Sequence, residues 1–431
     1  MKKATILLLL TLPVMTAFGQ RRKRERQEPS PRQELVYDNH QYLPSIKTVR
    51  LFPDELENAL PIIDLHGTEQ LHLSFDDLRA DVRNLFFSIE HCTADWKPSR
   101  LNQLEYAHSF NEDRILDYTS SVNTLQPYTH YRASFPTDNV RPKLAGNYLL
   151  QVYEDADRSR LILTRKFYVV TPIISPTPQL IPSLDVARRQ HNQKINLTVS
   201  TANITINNPY QDIKIRVMQN QRPDRDEWLG APQFISDRSL IYNDTKTLDF
   251  GGSNEFRYVD LRSTRFASER VAHIAIDSGV AVSLLPDDDL SSMAYGSVFD
   301  EDGAFFIRNQ DKPDADSESE YMQVRFTLKD KQTRGGAVYI VGGFNQYRYT
   351  DENKMAYDPN SQTWTATLLL KQGLYDYQYS WVDSDGTTHT TAFSGNHFQT
   401  GNAYQILVYV RRPGTTWDEL LGYAQHLTED R

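Results

Sequence analysis

The sequence predicts an all-β protein: three consecutive β-sandwich units closed by a short C-terminal helix. Three observations predict it. Aromatic residues are abundant, with 24 Tyr and 19 Phe, and these favour pleated sheet over helix. Apolar residues recur with period 2 in segment after segment. Clusters of Gly, Pro, Asn and Asp separate those segments at the spacing of sandwich turns.

Residues 1–19 read as a secretory signal peptide. Lys2 and Lys3 give the positive start, residues 4–18 the apolar run, and Ala17-Phe18-Gly19 the small residues of a cut before Gln20. The run is short for a helical span, which needs about 20 apolar residues. No cysteine follows it to carry a lipid. Loss of Lys2 and Lys3 would move the net charge from −9 to −11. Residues 20–36 read as a disordered basic leader. Its cluster Arg21 to Arg26 has an alternative use against anionic lipid or an acidic partner.

Residues 37–171 read as the first sandwich. Leu71, Leu73 and Phe75 alternate with His72 and Ser74, and Asp76-Asp77 is expected to break that strand. Leu85, Phe87 and Ile89 line the next. The long stretch up to residue 131 is aromatic and poorly periodic. It is expected to fold over the sheet as a loop, with Tyr106, Phe110, Tyr118, Tyr128 and Tyr131 as core. Residues 147–153 and 161–170 are strands joined by a polar hairpin. Residues 172–189 carry Pro172, Pro176, Pro178 and Pro182 and read as a linker or an extended edge. Residues 190–290 form the middle unit, beginning with Ile195, Leu197 and Val199. Residues 291–317 are an acidic loop or linker. Residues 318–412 form the third unit, with Trp364 to Leu370 and Leu374 to Trp381 as a hairpin. In the tail, residues 413–431, a helix is expected from Trp417 to Leu427, with Thr415 or Thr416 as N-cap.

Composition narrows the function. With 24% charged and 39% apolar residues the chain can form cores. Its acid excess argues against a general nucleic-acid binder, which needs clustered Lys and Arg. The 11 histidines contain no HExxH and none stands at zinc spacing with a cysteine. His389 and His397 read as surface residues. There is no GxSxG and no phosphate-cradling glycine loop. The pairs and runs Asp76-Asp77, Asp287 to Asp289 and Asp300-Glu301-Asp302 read as solvated loop carboxylates. A calcium loop aligned on Gly303 fails, because Val298 and Asn309 fall at ligand positions. Cys92 is the single cysteine and is expected to be buried. Its alternative role as a nucleophile is weakened because His91 should point to the opposite face. No catalytic, cofactor or metal residue is assigned.

Several segments carry a resemblance. FSIEHCTADW, LEYAHSF and SSVNTLQPYTHY, then INNPYQDIKIRVMQN, FRYVDLRS and YQILVYVRRPGTTWDELLGY, resemble the plug proteins of the type IX secretion system of Bacteroidota. The resemblance runs over most of the chain. It implies a non-enzymatic periplasmic protein without cofactor. Such a protein would sit at the inner face of the outer membrane and close the periplasmic mouth of the β-barrel translocon when no cargo is engaged. Its partner would be that translocon, with no nucleic acid. The third unit, through VYIVGGFNQY and LKQGLYDYQYSW, is similar to early-set immunoglobulin-like domains of the glycogen-binding sort, and immunoglobulin-like sandwiches are implied. That second resemblance implies an alternative: a periplasmic or surface glycan-binding protein with Tyr347, Trp364 and Trp381 as its platform. Tyr347 stands where tryptophan is usual.

Overall fold

A computed structural model describes residues 28–54, 56–108, 110–332 and 334–428. The expected signal peptide and residues 20–27 of the expected leader lie outside the described residues. The period-2 segments become strands, and the strands pair into facing sheets around three apolar cores.

In the first sandwich, Leu85–Cys92, Gly146–Glu154 and Leu161–Val170 form the centre of one sheet. Ile46–Pro53, Leu71–Asp77, Thr129–Phe135 and Asp117–Ser120 form the other. Leu71, Leu73 and Phe75 pack across the gap against Leu85, Phe87, Ile89 and Phe167. The Phe75 and Tyr131 rings stack at 5.2 Å. One expectation is corrected here. Asp76 and Asp77 do not break the strand from outside; they are its last two paired residues, and both are fully buried. Each carboxylate has a cationic partner, so burial does not leave it unpaired.

In the second sandwich, Asn192–Ser200 pairs with Ser175–Pro182 and with Ser239–Tyr242. The proline-rich stretch is therefore an edge strand. Pro176, Pro178 and Pro182 share one parity along it, so a single row of outward positions takes all three missing N–H groups. The facing sheet runs Asp226–Leu229, Ile213–Gln219, Ala403–Val410, Glu419–Leu427.

Two further expectations change. The predicted C-terminal helix is a strand, Glu419–Leu427, paired with Ala403–Val410. The register shifts between Val408 and Tyr409, so Leu421 is the extra residue of a bulge. Leu420 and Leu421 then enter two different cores. This doublet with Ala424 and Leu427 imitates helical spacing. The strands also ignore the expected boundaries at 190–290 and 318–412. Arg257–Asp260, Val271–Ile276 and Val280–Leu284 join the third core, with Tyr321–Lys329, Thr363–Lys371 and Gly373–Val382. The chain end returns to complete the second sandwich. The third is inserted within it.

Among the described residues the helices are single turns: Gln103–Tyr106, Pro209–Asp212 and Ala315–Glu318, with a 3-10 turn at Gly343–Asn345. None is long and apolar enough to cross a membrane.

Candidate functional site

The most heavily built chemistry in the chain lies where the sandwiches meet. On Leu71–Asp77 the odd residues face the first core, so Asp76 points out of the other face. Its cross-strand neighbour is His130. In the third sandwich, Tyr321 and Lys371 are likewise a cross-strand pair. The two pairs meet. Lys371 Nζ donates to Asp76 Oδ2 at 2.7 Å, and Tyr321 Oη donates to the same oxygen at 2.7 Å. His130 Nδ1 lies 2.6 Å from Asp76 Oδ1. Asp76 is 0% and Lys371 1% exposed.

Around this pair the seam is polar. Lys371 also donates to the Asp316 carbonyl at 2.7 Å and sits 4.1 Å from the Tyr128 ring centre. Tyr128 Oη donates to the carbonyl of Ser319 at 2.9 Å. The Glu320 carboxylate accepts from the backbone of Leu125 and Gln126. Arg50 bridges Glu57 and Asp316, and Arg308 reaches Glu57 from the third sandwich at 2.9 Å. Burial by itself would raise the Asp76 carboxyl, but Lys371 and His130 outweigh it and hold the group below its ordinary value. Asp76 is therefore the anionic half of a buried ion pair.

The other two contacts close a triangle. The first and second sandwiches share an apolar seam of Cys92, Trp96, Leu149 and Tyr168 against Met218, Leu407, Tyr409 and Leu420. Within it Tyr409 Oη donates to Asn147 Oδ1 at 2.8 Å. Between the second and third, Arg222 is buried with its guanidinium 4.4 Å from the Tyr347 ring centre. It donates to Gln378 Oε1 at 2.8 Å and pairs with Asp224 at 2.8 Å. Each sandwich thus touches both others through buried groups.

The residues singled out in the sequence are scattered by the fold. Tyr347 is buried under Arg222, and Trp364 is buried with Nε1 donating to Asp330 at 3.1 Å. Trp381 is half-buried and stacks on His389 at 4.5 Å. Trp364 and Trp381 stand on opposite sheets of the third sandwich. The three share no open face on which a sugar ring would stack. Tyr106, Tyr128 and Tyr131 are core, as expected, whereas Phe110 and Tyr118 are exposed.

The acidic runs are less solvated than expected. Asp287 is buried, holding Arg257 and Arg270 and accepting from the hydroxyls of Tyr377 and Tyr379. Burial, with Asp376 adding, pushes the Asp300 carboxyl up to about 8, and burial raises Asp376 to about 7. No group of three or more His, Cys, Asp or Glu side chains is placed to hold a metal among the described residues.

Cys92 is fully buried in the seam between the first two sandwiches, and burial pushes its thiol up. We expect no reaction of native protein with a thiol reagent and one modification per chain after denaturation. Rapid labelling of the folded chain would contradict this placement.

The family model for the type 9 secretion system plug protein 1st domain matches residues 46–171, the body of the first sandwich. The chain belongs to the type IX secretion system plug protein family. This plug-family chain is similar over most of its length to the crystal structure of a hypothetical protein from Parabacteroides merdae. Identity is 31%, covering 92% of this chain and 100% of that one, with a TM-score of 0.87. Matches to a partial N-terminal region of enterococcal surface protein (5% identity, 92% and 97% covered) and to a collagen adhesin from S. aureus (9%, 89% and 92%) have TM-scores of 0.18 and 0.13. Scores that low carry no argument here. No curated protein matches the chain. Membership assigns the plug-family chain a role associated with type IX secretion. The junction residues were invisible in the sequence because Asp76, His130 and Lys371 are ordinary polar residues on strands. The one available signal was an acidic doublet directly continuing an alternating strand.

Proposed function

We propose that this protein is a non-enzymatic periplasmic plug. In this reading it closes the periplasmic mouth of the outer-membrane β-barrel translocon of type IX secretion when no cargo is engaged. The observation that supports it, beside family membership, is the closed triangle of sandwiches held by buried junctions. A seal must be too broad to enter the pore and too stiff to reshape inside it. A lone sandwich, or three on flexible linkers, would meet neither condition. Three sandwiches that each grip the other two meet both.

A plug must also leave. Release calls for an interface of modest net affinity with a polar rim. The net charge of −9 suits a basic surface at the pore mouth. Affinity purification from gently solubilised outer membranes of the native host tests this. The chain should carry down a very large β-barrel, in complexes lacking its cargo shuttle, and recovery should fall as salt rises. Recovery of the chain alone would contradict the reading. Salt-independent recovery would remove the electrostatic part of it.

A further inference from the structure

A long strap crosses the third sandwich. Residues 285–304 run from the end of Val280–Leu284 to the start of Phe305–Ile307 and belong to no strand or helix. Met293, Val298 and Phe299 are exposed, so the middle of the strap holds on by little. It is fastened elsewhere. Tyr295 Oη donates to the Glu255 carboxylate, and its ring lies 5.7 Å from that of His397. Glu255 and His397 belong to the two crossings by which the chain enters and leaves the inserted sandwich. His397 N ties those crossings together by donating to the Ser253 carbonyl at 2.8 Å. The strap therefore lies over the hinge of the third sandwich.

Its far end is bolted down by two carboxylates. Asp376 is 1% exposed, and its Oδ2 accepts from Glu301 N at 2.6 Å and from Gly303 N at 3.2 Å. Asp300 accepts from Phe256 N and from Asp302 N. Both carboxylates thus grip one turn, residues 300–303. The turn is seated flush. A Cβ on Gly303 would lie 2.0 Å from Tyr347 Oη and 2.7 Å from Phe256 Cζ. Gly343 N donates to the Gly303 carbonyl at 2.7 Å. Beneath it Phe256, Val341 and Tyr347 form a small apolar cluster, and Tyr347 is the ring on which Arg222 rests in the second–third seam.

Nothing cationic balances the two carboxylates. Among the described residues no lysine, arginine or histidine forms an ion pair with Asp300 or Asp376. Glu301 and Asp302 of the turn and Glu255 of the crossing add like charge. Tyr258, opposite Asp376 on the neighbouring strand, and Tyr347 contribute phenols. Arg222 and Arg262, from the adjoining elements, are offset by Asp224 and Asp260, and Arg257 turns to Asp287. His397 faces Tyr295 at the hinge. Burial raises both carboxyls, and each has acidic neighbours that raise it further. Their hold is therefore complete below about pH 4 and is lost as pH rises through about 7 and 8.

We propose that the strap is a pH-sensitive latch on the hinge of the third sandwich, shut while the Asp300–Asp376 pair keeps a proton and released once both carboxylates are charged. Release uncovers the Phe256, Val341 and Tyr347 cluster and loosens the seat of Arg222, so the third sandwich gains freedom against the second. The latch does not depend on the plug reading, since a plug whose strap stays shut and a latched protein that seals nothing are both physically coherent.

Hydrogen exchange of the full chain, read by mass spectrometry at pH 6 and pH 8 and referred to intrinsic rates, tests it. Peptides covering residues 288–304 should lose protection about 100-fold or more between the two, at about tenfold per pH unit for each raised carboxyl. Peptides from Gly146–Glu154 in the first sandwich should not share the loss. Asp300→Asn with Asp376→Asn keeps a carbonyl oxygen for the backbone N–H groups and removes both charges, so its strap should change by less than about threefold. Asp300→Asn alone, at the more exposed of the two positions, serves if the double variant does not fold, and should lose the larger part of the pH effect. Equal strap protection in the wild type at both pH values would overturn the proposal. So would an undiminished pH effect in Asp300→Asn, or a loss in the wild type spread evenly over the strap and the first sandwich, which would be global unfolding.

Discussion

Replacing Lys371 by methionine is expected to destabilise the protein by about 3–5 kcal/mol, measured by denaturant unfolding. The ammonium is the cation at the Asp76 carboxylate on the third-sandwich side, and both groups are buried. Methionine fills much the same space but leaves Asp76 buried with His130, the Tyr321 hydroxyl and no lysine. The large cost comes from stranding that charge, not from the strength of the pair itself. The double variant Asp76→Asn with Lys371→Met should therefore recover most of the loss, because no charge remains to be stranded. The single variant should also become sensitive to proteolysis near the first–third seam, where its carbonyl and ring contacts go as well. A loss below about 1 kcal/mol, the ordinary value of an exposed pair, would mean that the junction is open to water.

Acidification is expected to weaken the fold through His91. Its ring is buried against Tyr148 and Tyr106. Burial lowers its pKa from 6.5 to about 4, against smaller opposing pulls from the Ala145 backbone and Asp418. The unfolded chain then takes up a proton before the folded chain does. Stability from this group is complete above the unfolded value and is lost as pH falls from about 6.5 towards 4, by about 3 kcal/mol in all. Asp300 and Asp376 act in the other direction. Their raised values mean that stability drains away as pH rises from about 4 towards 7 or 8. The His91 share is isolated by comparison with His91→Phe. Between pH 7 and pH 4 that variant should lose about 3 kcal/mol less than the wild type. Parallel stability–pH curves for the two would refute a neutral, buried His91.

Much of the fold was legible in particular residues. Leu71, Leu73 and Phe75 faced one core because period 2 admits no other arrangement for a half-buried strand. The proline stretch before residue 183 left a linker and an extended edge both open, and pairing with Asn192–Ser200 makes it an edge strand. What misled was burial on two sides. Asp76 and Asp77 look like a strand terminator, because carboxylates are seldom buried unless paired, and although Asp77 pairs with Arg79 two residues on, the lysine that pairs with Asp76 lies in another sandwich. Leu420 and Leu421 look helical because a bulge sends adjacent residues into different cores. The unit boundaries failed for a third reason. Which strands close which sandwich is a matter of long-range pairing, and Ile213–Gln219 gives no local sign that it awaits Ala403–Val410. The glycan platform failed because an aromatic that stacks on sugar and one that fills a seam under an arginine are the same letter. Tyr347 belongs to the second kind.

The most direct measurement of the central claim is the ionic conductance of the purified translocon in a planar bilayer, cargo-free, before and after addition of this chain. The account predicts stepwise closure by the wild type from the periplasmic side only. It also predicts weaker closure by Lys371→Met, whose sandwiches are no longer locked together. Conductance that is unchanged by the wild-type chain, at concentrations where the two proteins co-purify, would contradict it.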